Sequence, residues 1–286
     1  MLTEVSREVE FDAAHRLLDS PESPCFETHG HRYKVIAYVT GFLNNKGEVL
    51  DFHDLKQILM EEVHQKLDHQ FINLIVEETN ATVERLVNWM WSRIAFRTAE
   101  QGAILTKLTC YETPTCKAER VLDTNYIAGM LDADGNISQS GNIEIQMRIN
   151  NTDKAMLYSI ALETGAGTMQ GGKINDGLNG QPKGTKPCYS LVFPRRAARV
   201  LCALVLPYLR IKKEQAEICI QYTRCETGQK NLPREEWEKR AELLTKLSKA
   251  NGHSRIFTAD GMITQQEKFR QNRRDSAKRS RLKGKQ

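Results

Sequence analysis

Hydrophobic and polar positions alternate along residues 4–16 and again along 33–40, the period-two signature of strands with one buried face. The period lengthens from Asp54 to Leu67, where Leu55, Ile58, Leu59, Val63 and Leu67 fall on one helical face. A second helical pattern covers residues 82–96, and Thr82 stands near its start, where a hydroxyl cap is favoured. Residues 44–47 (Asn-Asn-Lys-Gly) read as a turn between strands, and 105–111 as a closing strand. Strand, strand, helix, helix, strand and a strand-like end predict an α+β fold: an antiparallel sheet with two helices on one face.

A different pattern begins after residue 117. Residues 125–133 give a short helix of small and apolar residues, 142–149 a strand, 153–163 a helix, 191–193 a strand and 197–206 a helix. An amphipathic helix follows at 233–249, and residues 262–286 read as disordered, or helical only on DNA.

The chain's 286 residues are enough for two domains. Charge divides them. Residues 1–117 hold 12 basic and 18 acidic side chains, 118–252 hold 19 and 15, and 253–286 hold 10 and 3. An acidic front and a basic back place any polyanion partner on the back. The seven cysteines contain no Cys-x-x-Cys pair, which argues against a disulfide framework and a zinc ribbon. No apolar run approaches the roughly 20 residues that span a bilayer, and the first residues are no signal peptide. The expected compartment is the reducing cytoplasm, with no membrane partner.

The front half carries Cys25-Phe-Glu-Thr-His29-Gly-His31, with His15 upstream. Residues two apart on a strand face the same side, so His29 and His31 can reach one ion, and His15 can add a third nitrogen. Three neutral imidazoles without a fourth protein ligand are the pattern of a catalytic zinc, whose open position takes water or substrate. Cys25 beside a cation could act as a base. Asp68-His69 can relay or orient a proton, and Glu112 ends the last strand.

These residues resemble the 6-pyruvoyltetrahydropterin synthase family over nearly all of residues 5–113. The likeness rests on Ala14-His15-Arg16, Cys25-x3-His29-Gly-His31, Asp51-Phe52, Leu67-Asp68-His69, Thr82-x-Glu84 and Glu112-Thr113. The three-residue gap after Cys25 resembles the bacterial 6-carboxytetrahydropterin synthases of queuosine biosynthesis. The resemblance implies a T-fold, zinc on His15, His29 and His31, and 7,8-dihydroneopterin triphosphate as substrate. It implies Cys25 as the proton-abstracting base, Asp68 and His69 as proton carriers, Thr82 and Glu84 as substrate contacts, and Glu112 as anchor of the pterin ring. The products would be 6-carboxytetrahydropterin, acetaldehyde and triphosphate. The family forms oligomers, commonly hexamers, with active sites between subunits. This chain departs from the pattern at Ala81, where a proline usually precedes the threonine, and after Thr113, where it runs into a new domain.

The back half carries Tyr126-Ile-Ala-Gly129-Met-Leu-Asp132-Ala-Asp134-Gly135. Gly129 and Ala133 lie four apart on one helical face, so a second helix could approach closely. Asp134 would then sit near its copy, and two such carboxylates need a bridging divalent cation. That is the arrangement of a phosphodiester cutter. A calcium-loop fragment would leave the small-residue helix unexplained.

The segment resembles the LAGLIDADG homing endonucleases to about residue 225, with their αββαββα order. The resemblance implies magnesium at Asp134, a catalytic lysine at Lys212, a water-positioning role for Asn151, and a homodimer on duplex DNA. Strand residues Gln146, Arg148, Arg195 and Arg196 would line a major groove. Residues 257–261 end in Asp260-Gly261, but no small-residue helix precedes them and too little chain follows for a second half-site.

The sequence reading is therefore a fusion: a pterin synthase at 1–117, an endonuclease domain at 118–252, encoded by a mobile element, and a basic tail at 253–286. The alternatives are that the back half is an RNA-binding maturase or inert, or that the synthase is inactive and only the nuclease acts.

Overall fold

A computed structural model describes residues 1–140, 143–173, 186–222 and 232–283. The front half is a four-stranded antiparallel sheet in the order β1 (Leu2–His15), β2 (His29–Phe42), β3 (Ile104–Thr113), β4 (Cys116–Val121). β1 and β2 pair along their whole length, from Leu2 opposite Phe42 to His15 opposite His29. The turn at 44–47 does not join two strands. Asn44 Oδ1 accepts from Lys46 N at 2.8 Å and Glu48 N at 3.0 Å, and the chain then enters a helix, not a strand.

That helix is α1 (Phe52–Leu59), capped by Asp51 accepting from His53 N at 2.7 Å. It continues through a π-helical turn (Met60–His64) into α2 (Gln65–Leu67), and α3 (Ile72–Ile75) follows. α4 (Val83–Glu100) starts at Thr82, whose side chain accepts from Arg85 N. Its Leu86, Met90, Trp91 and Ile94 are buried. Burial of an aliphatic side chain of this kind stabilises by about 1.5–3 kcal/mol.

The back half runs α5 (Thr124–Asp134), β5 (Gly135–Gln139), β6 (Ile145–Asn151), α6 (Lys154–Thr164), β7 (Thr168–Lys173), β8 (Cys188–Phe193) and α7 (Arg195–Val205), with sheet order β5-β6-β8-β7. This is the expected αββαββα order. Asn142, where a strand was expected to begin, and Cys225, at the end of the second resemblance, lie outside the described residues. Arg195 and Arg196 are not strand residues: Pro194 ends β8, and both open α7. α8 (Lys213–Gln221), α9 (Arg234–Ala250) and α10 (Ala259–Lys283) complete the chain.

Ala259–Lys283 is helical in the protein alone, contrary to the expectation of disorder or of a helix only on DNA. Residues ahead of the basic run anchor it: Asp260 accepts two hydrogen bonds from Arg234, at 2.8 and 3.1 Å, and Met262 is buried. No described helix is long and apolar enough to cross a membrane.

The halves are joined without a linker. β4 carries the front sheet to Val121, beyond the expected boundary at 117; Leu122 is buried, and Asp123 caps α5 by accepting from Tyr126 N at 2.9 Å. Trp91 Nε1 donates to the Glu163 carbonyl at 2.8 Å, and Arg120 pairs with the Glu163 carboxylate. Arg199 lies 3.9 Å over the Phe42 ring and donates to the Ile220 carbonyl, while burial depresses its guanidinium below the usual value. Buried residues of both halves form one continuous core.

Gly165 closes α6 at φ 64°, and a Cβ there would lie 2.1 Å from the backbone carbon and oxygen of Ala95 in α4. Gly165→Ala should therefore destabilise the whole protein by at least about 2 kcal/mol, combining left-handed strain with overlap between the halves. Denaturant unfolding should show both halves melting in one transition; two well-separated transitions would contradict the shared core.

Candidate functional sites

Full-length pairing of β1 and β2 brings His15 opposite His29 and Ala13 opposite His31. The three imidazoles converge, with possible ligand atoms all within 4.8 Å of one another and ring centroids 4.6, 4.9 and 5.2 Å apart. His15 is buried, and its Nδ1–H donates to the Ala81 carbonyl at 2.7 Å. His29 Nδ1–H donates to the Glu27 carbonyl at 2.8 Å. Both rings thus turn Nε2 inward, where the two nitrogens stand 3.1 Å apart. Facing lone pairs at that distance repel unless a proton or cation lies between them, so the set fits a divalent metal. His31 is held below the ordinary imidazole value by burial first, with His15 and His29 adding to it and Glu112 opposing. Glu112 Oε1 lies 3.4 Å from His15 Nε2, so its carboxylate adds negative charge beside the histidines.

Beside them lies a cleft of about 930 Å³, lined by His31, His69, Arg16, Arg32 and Phe71 among others. Arg32 is engaged by Asp12 through two hydrogen bonds of 3.2 Å, whereas Arg16 Nε is buried without a partner among the described residues. The Asp68 carboxylate accepts from Asp12 N at 3.0 Å and from His69 Nδ1–H at 2.8 Å, and in that order these hold it below its ordinary value. His69 sits at φ 57°, fixed by its own N–H donating to the Asp12 carbonyl at 2.6 Å. Such backbone strain persists only where neighbours impose it. His64, on the π-helical turn, lies 3.8 Å from Asp68. The sequence reading missed it, although its four-residue spacing to Asp68 was a usable signal.

Cys25 lies in a short 3-10 turn (Pro24–Phe26), half-buried and outside the histidine cluster. Its carbonyl accepts from Leu17 N at 2.8 Å, which docks the turn beside the end of β1. Thr82 is occupied in capping α4, and Glu84 is exposed on that helix's first turn. Neither lines the cleft of its own chain.

In the back half, α5 passes into β5 with no intervening loop. A Cβ on Gly135 would lie 2.3 Å from the Leu131 carbonyl oxygen, which is why glycine ends the motif. Asp134 Oδ2 accepts from Asn151 Nδ2 at 2.6 Å. Asp132, which the sequence reading left without a role, accepts from the backbone N–H groups of Arg210, Ile211 and Lys212 at 2.7, 3.2 and 2.9 Å. Lys212 Nζ in turn donates to the Asp132 carbonyl at 2.6 Å. These bonds bring Lys212 to the end of α5, where Asp134 lies. Gly129 and Ala133 are exposed, and a Cβ on Gly129 would meet nothing within 4 Å.

Helices cover one face of the second sheet through Ile145, Met147, Ile149 and Leu191. The other face presents Asn136, Ser138, Gln146, Arg148, Asn150 and Ser190. Arg148 Nη2 donates to Gln146 Oε1 at 2.5 Å. Arg195 pairs with Glu144 at 3.0 Å and Arg196 packs on Gly102 of the front half. Both arginines share a second cleft with Gln146, at the junction of the two halves.

Residues 4–121 match the family described as 6-pyruvoyl tetrahydropterin synthase. The chain belongs to that family. It is 29% identical to 6-carboxy-5,6,7,8-tetrahydropterin synthase of Haemophilus influenzae over 40% of this chain and 96% of that protein. It is 30% identical to the putative enzyme of the same name from Pyrococcus horikoshii, over 38% of this chain and 84% of the relative. It is also 30% identical to human 6-pyruvoyl tetrahydrobiopterin synthase, over 38% and 85%. Among solved structures, the 6-pyruvoyl tetrahydropterin synthase of Caenorhabditis elegans matches with TM-score 0.38 and 22% identity, over 42% of this chain and 96% of that one. The homing endonuclease I-CvuI in complex with its target also matches with TM-score 0.38, at 21% identity over 51% of this chain and 94% of that one.

His29→Ala should abolish tight binding of a divalent metal, because two histidines leave too few ligands. Titration with Co(II), followed by its absorption spectrum, checks this; an unchanged spectrum would remove His29 from the ligand set.

Proposed function

We propose that the front half is a zinc-dependent 6-carboxytetrahydropterin synthase acting on 7,8-dihydroneopterin triphosphate, in the route to queuosine. The observation that carries this reading is the inward-facing histidine triad, of which His31 lines a cleft together with His69, the residue held by Asp68. Zinc on His15, His29 and His31 would supply Lewis acidity at the substrate's side-chain oxygens. Cys25 takes the side-chain proton. His69, with Nδ1–H held by Asp68, has Nε2 left to exchange protons in the cleft. Arg16 lines the cleft, and its guanidinium would be a cation for the substrate's phosphates. Glu112 anchors the pterin ring. Thr82 and Glu84 lie away from their own chain's cleft, which favours an oligomer in which they complete a neighbour's site. The described cysteines are all free thiols, in keeping with a reducing cytoplasm.

We further propose that the back half, divided from the front after Val121, is a magnesium-dependent LAGLIDADG endonuclease encoded by a mobile element. Asp134 would hold the ion; Lys212 and Asn151 stand at the same helix end. The open Gly129–Ala133 face would pair with that of a second copy. The polar face carrying Gln146 and Arg148 would meet duplex DNA, with Arg195 and Arg196 flanking it.

Cys25→Ala should retain zinc and lose dihydroneopterin triphosphate turnover, because it removes the base and not a ligand. Acetaldehyde release by the parent identifies the carboxy-forming reaction; a pyruvoyl product would replace it with the alternative chemistry of the family.

Asp134→Asn should bind DNA as the parent does but lose magnesium-dependent cutting, since the amide keeps the shape without the charge. If the variant cuts a confirmed target at the parent's rate, the endonuclease reading gives way to a maturase or an inert domain.

A further inference from the structure

His15 is oriented from outside the ligand set. Its Nδ1–H donates to the carbonyl of Ala81, a residue far along the chain and itself buried. Thr82 N donates to the Asn80 carbonyl at 3.0 Å, closing a three-residue turn centred on Ala81. Ala81 is not among the described residues with positive φ, so this is the inverse γ-turn, with φ near about −75°. The turn aims the Ala81 carbonyl at the His15 ring.

One side chain ties this loop to the strand end that carries His15. Asn73 Oδ1 accepts from Arg16 N at 3.0 Å, and Nδ2 donates back to the Arg16 carbonyl at 2.9 Å. The same Nδ2 reaches the carbonyls of Glu78 at 3.2 Å and Thr79 at 2.9 Å. Two amide hydrogens thus serve three carbonyls, so one hydrogen is shared. Asn80 adds a second tie to Asp19, accepting from its N–H at 3.1 Å and donating to its carboxylate at 2.8 Å. Asn73 therefore clamps the residue after His15 to the loop that supplies the partner of His15.

We propose that Asn73 is a positioning residue for the metal centre, acting through the Ala81 carbonyl to fix the tautomer and rotation of His15. The inference rests on the metal reading above. With Nδ1 protonated and held, only Nε2 of His15 is available to an ion, and the ring is already turned toward His29. Loss of the clamp lets the carbonyl move and the imidazole exchange tautomers, so metal affinity falls although no ligand is removed. The same geometry accounts for alanine standing where the resemblance places a proline. Inverse-γ φ is compatible with proline, and the side-chain ties supply the rigidity that a ring would otherwise give.

The test compares the parent, Asn73→Ala and Ala81→Pro as full-length chains. Zn(II) affinity is measured by competition with a chromophoric chelator, and imidazole 15N spectra of the metal-free proteins report the His15 tautomer. Asn73→Ala should weaken zinc by about 10–100-fold and mix the His15 tautomers. Ala81→Pro should keep the single tautomer and bind zinc at least as tightly as the parent. A folded Asn73→Ala variant with zinc affinity within about twofold of the parent, or with His15 still one tautomer, overturns the proposal; the small effect would lie well below what outer partners of metal ligands give. If Asn73→Ala does not fold, Ala81→Pro decides alone, and a folded Ala81→Pro protein whose zinc binding is weakened more than tenfold overturns it. A parent that binds no zinc overturns the metal reading instead, and the metal-free tautomer spectra still decide the role of Asn73.

Discussion

The pairing of β1 with β2 over their full length is the constraint on which the front half's chemistry depends. A register fixed from Leu2–Phe42 onward sets His15 opposite His29 and, two residues on, brings His31 to the same side. A one-residue slip would turn the His29 and His31 side chains to the other face and scatter the histidine cluster. The register is held by burial of Val35, Ala37 and Val39 beneath the helices and by the stacked Phe11 and Tyr33 rings, 5.1 Å apart, under the histidines. Burial raises the Tyr33 hydroxyl far above its ordinary value, so this ring serves as a neutral floor to the site. Packing, pairing and the geometry of the three histidines are one device here.

An analogous economy runs through the back half. α5 turns directly into β5 at Gly135, so the residue before the turn, Asp134, is fixed by both a helix and a strand. Asp132 draws in the backbone of residues 210–212, and those three bonds keep its carboxylate charged even though partial burial opposes it. The halves share a core, with Trp91, Arg120 and Glu163 at the seam. The contact between Arg199 and Phe42 lies at the end of β2 opposite His29, which separates the seam from the histidine cluster.

The sequence disclosed the periodic elements and both motifs because strand alternation, helical spacing and ligand spacing are local signals. The ligand atoms of His15, His29 and His31 lie within 4.8 Å of one another, and Asp134 accepts from Asn151 at the helix end. What the sequence did not disclose depends on contacts between distant residues. Asn73 has no local signature: its four side-chain hydrogen bonds reach three residues on two separate segments. The role of Asp132 required residues 210–212 to fold back on α5. Arg195 and Arg196 were misplaced because their residue types suit a groove-facing strand, whereas Pro194 ends β8 and starts a helix there. The C-terminal helix was missed because its charge masked the short anchor at Asp260 and Met262.

We propose above all that this chain is a metal-dependent pterin enzyme. The most direct measurement is turnover of 7,8-dihydroneopterin triphosphate by the intact protein, after metal removal and then during stepwise return of zinc. The account predicts no turnover without metal, and activity that rises linearly and saturates at about one zinc per chain, as one three-histidine site requires. Turnover that persists in the metal-free protein, or none at full zinc occupancy, would contradict it.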